Sequence, residues 1–141
     1  REMPVEDLDV GYYQAWLKNN GLIAGVVIPP LNGARAAYAK VTSRAADDWP
    51  SLNIGLRLEM ADAKTIRNAR VVIGAAAEKV TRLSATEKLL SGAVHAQATL
   101  DQASECAAAE AKFVSDAHGS VSYKRELLRV YLARAISQAL A

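Results

Sequence analysis

The sequence predicts an α+β fold: an antiparallel sheet of three to four strands packed against three C-terminal helices. Two observations carry this. Over Leu52–Met60 the apolar side chains recur with the period of a half-buried strand, with strand-like segments at 35–42 and 66–73 on either side, and from Ser84 onward the period lengthens to three and four. Strands that come first, followed by a run of helices, place the helices on one face of an antiparallel sheet.

The elements follow in order. Residues 1–20 form a polar lead-in with a short aromatic cluster, Gly11-Tyr12-Tyr13-Gln14-Ala15-Trp16-Leu17. Residues 21–28 are β-rich and stop at Pro29-Pro30, which cannot donate to a ladder, and a loop at 31–33 marks the boundary between residues 1–30 and a domain of residues 31–141. The next strand spans 35–42 and is broken by the acidic turn Ser43–Pro50. In Leu52–Met60 every second residue is apolar, with Arg57 and Glu59 on the other face, and a turn at 61–64 leads to the β-branched strand 66–73, ending at Gly74. Sequential strands with tight links predict a meander.

Ser84-Ala85-Thr86-Glu87 has the pattern of a capping box and opens a short helix closed by Gly92. Thr99-Leu100-Asp101-Gln102 has the same pattern and opens a helix with Leu100, Ala103, Ala107, Ala111 and Val114 along one stripe. Asp116 and Gly119 build a turn that delivers the chain into the last helix, which Ser120 or Ser122 caps. That helix runs from about Val121 to the end, with Leu128, Tyr131, Leu132, Ala135 and Ala139 on one side.

Chemistry is sparse. Cys106 is the sole cysteine, so an intrachain disulfide and a CxxC site are excluded, and it reads as a small buried apolar residue. His95 and His118 stand without metal-ligand spacing and read as exposed or turn histidines; the glycines are scattered singly, with no phosphate loop and no nucleophile elbow. Lys124, Arg125, Arg129 and Arg134 on the last helix alternate with Glu126 and apolar positions and read as a solvated face, not a nucleic-acid surface. A net charge of +2 is too small to argue for such a partner, and no apolar run reaches the roughly 18 residues that span a bilayer. No signal peptide opens the chain, which begins at Arg1 in mid-phrase, as a fragment, processed chain or trimmed chain would. One segment stands apart: Lys40 to Trp49 sets an acidic pair, two cations and a large aromatic on a loop held by strands, where ligand contacts concentrate.

The succession of phrases resembles the FAD-binding (medium) subunit of molybdenum hydroxylases, the carbon monoxide dehydrogenase and xanthine dehydrogenase family. Asp7–Leu17 is similar to that family's acidic-apolar-apolar-x-Gly-Tyr-x-x-Thr-x-Leu phrase, and Leu22–Pro29 to the strand ending in Ile-Pro that follows it. Tyr38-Ala39-Lys40, Arg44 and Asp48-Trp49 resemble its Tyr-x-Lys … Arg … Asp-aromatic loop; Ala69–Gly74 resembles its third strand. Ser115–Arg125 resembles its Asp-x-Arg-Gly-Ser-x-x-Tyr-Arg phrase. The chain departs from the pattern at Leu8-Asp9, where the family has Phe-Phe, at Ala15, where it has Thr, and at His118, where it has Arg.

The resemblance implies that residues 1–30 are the tail of an FAD-binding domain and residues 31–141 the flavoprotein C-terminal domain. It implies FAD in the complete subunit, held mainly by two Gly-rich loops of an N-terminal segment that this sequence does not contain, so FAD is not expected to stay on this chain alone. It places Lys40 and Trp49 beside the flavin, with Arg44 and Asp48 as further contacts: Lys40 as donor to the polar flavin edge or ribityl chain, Trp49 as a lid that excludes water. It implies partners: a large subunit with the molybdenum cofactor and a small subunit with [2Fe–2S] clusters, in a cytoplasmic oxidoreductase whose chemistry this chain does not perform alone. The alternative reading is a free-standing α+β docking or scaffold domain without flavin.

Overall fold

The computed structural model describes residues 1–11, 14–17 and 20–141. A 3-10 turn at Val5–Asp7 and a small hairpin of β1 (Asp9–Gly11) and β2 (Gln14–Ala15) precede the main sheet. Trp16 lies under the Arg1 guanidinium at 4.9 Å, while Tyr12 and Tyr13 of the expected aromatic cluster fall outside the described residues.

The main sheet has four strands in the order β3 (Arg35–Thr42), β4 (Pro50–Met60), β5 (Ile66–Gly74) and β6 (Thr81–Arg82), each antiparallel to its neighbour. Period 2 drives the layering: Leu52, Ile54, Leu56 and Leu58 of β4 and Ala69, Val71 and Ile73 of β5 are buried on one face. Each large aliphatic among them contributes about 1.5–3 kcal/mol by leaving water. Pro50 sits at the first position of β4, opposite Thr42, where a bulge ends the regular register. In the β4–β5 turn Asp62 accepts from the N–H groups of Lys64 and Thr65 at 2.8 and 2.9 Å.

Three helices cover the buried face: α1 (Ser84–Leu90) lies on β5, α3 (Val121–Leu140) crosses β3 and β4, and α2 (Gln97–Glu110) packs on α1 and α3. The α+β arrangement expected from the sequence is the one observed.

Several details differ from expectation. Residues 21–28 form no strand and are exposed, because β propensity makes a ladder only where a neighbouring strand supplies partners, and among the described residues none does. The fourth strand is instead β6, whose two residues carry no periodic signal. The Ser84–Glu87 pattern is not a capping box: Glu87 turns toward the sheet edge, accepting from the Val71 N–H at 3.0 Å and from Arg82 at 2.9 and 2.7 Å. The free N–H groups of α1 are capped from α2, whose Glu110 accepts from Ala85 at 2.9 Å and Thr86 at 3.0 Å.

Helix α2 begins at Gln97, so Thr99 lies inside it and donates its hydroxyl to Val94 O at 2.7 Å. The stripe of α2 holds from Leu100 to Ala111, but the helix ends at Glu110 and Val114 is exposed. Cys106 is half-buried, not buried. On α3 the buried line is Lys124, Leu128, Leu132, Ala135 and Ile136, with Tyr131 and Ala139 half-buried beside it. The Ser120 cap stands: its hydroxyl accepts from the Tyr123 N–H at 3.2 Å.

Candidate functional site

The candidate site is the connection between β3 and β4. Along β3, Ala37, Ala39 and Val41 pack toward the helices, so Tyr38 and Lys40 stand on the opposite, exposed face. Antiparallel register sets Tyr38 opposite Gly55 and Lys40 opposite Asn53, and directly paired residues share a face. A Cβ on Gly55 would meet nothing within 4 Å, so the middle strand is open there. The Asn53 Oδ1 is buried and has no hydrogen-bond partner among the described residues.

The loop that follows is held by its own polar groups. Lys40 Nζ donates to Ala46 O at 3.0 Å, and the Asp48 N–H donates to Ala45 O at 3.1 Å. Arg44 Nε donates to Asp48 Oδ2 at 2.9 Å, while Asp48 Oδ1 accepts the Trp49 N–H at 2.9 Å. The Arg44 hydrogen bond, then the Trp49 N–H, holds the Asp48 carboxyl below the ordinary carboxylate range, and the charge of His118 adds to the effect. Trp49 is left 72% exposed at the rim of an open depression of about 420 Å³ lined by Arg44, Ala45, Asp47, Asp48 and Trp49.

Behind this loop lies a polar network that the sequence pattern assigned to solvent. Lys124 is fully buried; its Nζ donates to Asp116 Oδ2 at 2.6 Å and to Ala75 O at 2.9 Å. Burial pushes the Asp116 carboxyl up, but the bonds from Lys124 and from the His118 N–H outweigh it and its pKa is lowered. Asp116 and Gly119 exchange backbone hydrogen bonds at 3.1 and 3.2 Å, and His118 O accepts from the buried Ser51 hydroxyl at 2.7 Å.

Residues 36–139 match the CO dehydrogenase flavoprotein C-terminal domain. The chain belongs to this family. It is 30% identical over 141 residues to the nicotine 6-hydroxylase medium subunit of Paenarthrobacter nicotinovorans, covering 99% of this chain and 48% of that subunit. Carbon monoxide dehydrogenase from Hydrogenophaga pseudoflava shares the fold with a TM-score of 0.81 at 22% identity, over 99% of this chain and 48% of its own. Quinoline 2-oxidoreductase from Pseudomonas putida 86 does so with a TM-score of 0.79 at 23% identity, over 95% and 46%. The chain thus spans about half the length of the relatives it matches.

Within this flavoprotein domain, Arg44, Asp48 and Trp49 lie on one connection beside Lys40 at the end of β3, as their sequence proximity implied. Asp116 was expected as a turn residue and Lys124 on a solvated face, which its full burial corrects, while Ser51 and Asn53 were not singled out. The signal for Lys124 was available, since it falls in line with Leu128 and Leu132 at spacings of four on the buried face of α3. A second depression of about 490 Å³, between β5, β6 and α1, is lined by Asn68, Arg82, Glu87, Lys88 and others. It is larger, but its main charges are spent on each other: Arg82 donates twice to Glu87. Among the described residues no group of three or more His, Cys, Asp or Glu is placed to hold a metal, and no helix is long and apolar enough to cross a membrane.

Proposed function

We propose that this chain serves as the C-terminal part of the FAD-binding subunit of a molybdenum hydroxylase, with the β3–β4 connection flanking the flavin. The observation that carries the reading is the exposed Trp49 indole on the connection that follows Lys40 of β3, whose strand neighbour Asn53 keeps an unpartnered carbonyl oxygen among the described residues. These groups fit a flavin: a planar apolar ring suits an exposed indole, and a flavin offers N–H and hydroxyl donors to an unpaired acceptor. FAD, when bound, supplies the electron-transfer chemistry.

The chain's own residues would orient it and dry its surroundings. Lys40 spends one of its three donors on Ala46 O and so retains hydrogen-bonding capacity for a polar edge, where its charge also favours an anionic ring. Trp49 would cover an apolar face and exclude water, with Arg44 and Asp48 fixing the loop that bears it. Residues 1–30 would close the FAD-binding domain, which suits their exposed Leu22, Val26, Val27 and Ile28. The subunit would work with a molybdenum-bearing large subunit and a [2Fe–2S] small subunit, in the cytoplasm.

The test is Trp49→Ala in the complete subunit. The flavin's visible absorption and its reaction with reductant are expected to change while the far-UV circular dichroism stays the same. Flavin properties indistinguishable from the parent would remove Trp49 from the site.

A further inference from the structure

We infer that Ser51 and the Asp116–Gly119 turn are positioning groups for Trp49, and that Lys124 is the buried post on which the turn is fixed. Both ends of the loop join the sheet, at Thr42 and Pro50, but the loop's own bonds do not reach the helical layer. Arg44 and Asp48 lie on the same loop, and with the Arg44 side chain 79% exposed the pair is open to water, where ion pairs contribute little. Lys40, on β3, ties the entry side of the loop to the sheet through Ala46 O and leaves the Trp49 side to other contacts. The tie from the exit of the loop to the helical layer comes at the start of β4, two residues after Trp49, where Ser51, fully buried, donates to His118 O at 2.7 Å.

His118 is itself held. Its N–H donates to Asp116 Oδ1 at 2.8 Å, the other carboxylate oxygen accepts from Lys124 at 2.6 Å, and Lys124 reaches back to Ala75 O at the end of β5. Ala75 takes a left-handed φ of +58°, a conformation non-glycine residues adopt only where surrounding contacts hold it. A continuous series of polar contacts therefore runs from the core face of α3 to the residue next to Pro50 and Trp49. Hydrogen bonds to ionised groups are the stronger kind, so the series is stiffest at its buried end.

The experiment is nitrogen-15 relaxation on the 141-residue chain carrying Ser51→Ala or Ser51→Thr. In the parent the Trp49 backbone N–H is expected near an order parameter of about 0.85; Ser51→Ala is expected to lower it to below about 0.6, and Ser51→Thr, which keeps the hydroxyl, to restore it. The amides of the central strand from Gly55 to Leu58 are expected to stay rigid in both. An unchanged Trp49 in folded Ser51→Ala overturns the inference, and so does equal loosening along the whole of β4, which would mark a general structural role. The consequence for flavin rests on the reading proposed above and is tested separately, by the flavin's visible circular dichroism in the complete subunit carrying Ser51→Ala. Loosening of Trp49 with an unchanged flavin signal would uphold the positioning role and refute the flavin reading.

Discussion

Removing the two partners of the buried ion pair should cost unequal amounts, and the order is fixed by where water reaches. The Lys124 side chain is 1% exposed and that of Asp116 is 33% exposed. Asp116→Ala strands an ammonium in a place water does not enter, whether it stays charged or gives up its proton, and is expected to cost about 3–5 kcal/mol. Lys124→Met keeps the apolar stem that packs in the core and leaves Asp116 partly in water with the His118 N–H still donating, so its cost is about 1–3 kcal/mol, the loss of hydrogen bonds from a charged donor. In a domain of this size each kcal/mol moves the midpoint by about 2–4 °C, so the two variants should separate clearly in thermal unfolding. Urea unfolding followed by far-UV circular dichroism measures the difference, provided the m value is unchanged. The double variant should lie near Lys124→Met, because the stranded charge is then gone. If Lys124→Met proves as costly as Asp116→Ala, or if both lie within about 0.5 kcal/mol of the parent, the pair is not buried as described.

The same pair gives a pH signature. Asp116 titrates below the ordinary 3.8, so its contribution is fully present above that value and is lost as pH falls through the lowered folded value; stability measured in urea should slope downward there in the parent and less steeply in Asp116→Ala. Asp48 is lowered too, so acidification through its folded value should release Arg44 and the Trp49 N–H, read as a change in indole fluorescence in a Trp16→Phe background that leaves Trp49 as the sole tryptophan. Gly119→Ala places a Cβ 2.6 Å from Tyr123 Cδ1 at a φ of +156° and should cost about 1–3 kcal/mol in urea unfolding; a neutral result would refute both the close contact and the backbone constraint at this position. Glu110→Ala uncaps α1 and should cost about 1 kcal/mol, whereas Glu105→Ala, whose mostly exposed carboxylate pairs with a partly buried Arg129, should cost less than half as much.

How much of this was legible in the chain depends on the range of the interaction. Strand β4 covers Leu52–Met60, where alternation placed it, since burial of one face writes itself into every second residue, and β3 and β5 lie where strand-like composition placed them. Strand β6 has two residues and left no such record, and residues 21–28 left a false one, because strand composition does not reveal whether a partner strand exists. The four site residues expected on the β3–β4 connection lie within ten positions, so chain connectivity alone gathers them. Ser51 meets His118 across 67 positions and Glu110 meets Ala85 across 25, and no local pattern reports such pairs. The misread capping box at Ser84 shows the same limit from the other side: its Glu87 went to a partner outside the helix, and the distant Glu110 took its place.

The phrase Ser115–Arg125 is the most recognisable stretch of the chain, and the structure explains why recognisability and chemistry fall in different places. Each of its marked residues has a single geometric task. Asp116 joins Lys124 to the turn, Gly119 leaves room for the Tyr123 ring, Ser120 caps α3, and Lys124 ties the helix to the end of β5. Tasks of that kind admit few residue types, so the pattern stays readable. Two positions depart from the phrase: Lys124 keeps the cation where the resembling family has Arg, and His118, also where it has Arg, falls at the position whose two bonds in the network use only backbone atoms, the N–H to Asp116 and the carbonyl from Ser51. A change of side chain there leaves the anchor intact while altering the charge that Asp48 and Asp116 feel. Position 118 is therefore where the charge beside the Trp49 loop can vary without disturbing the fold that holds it.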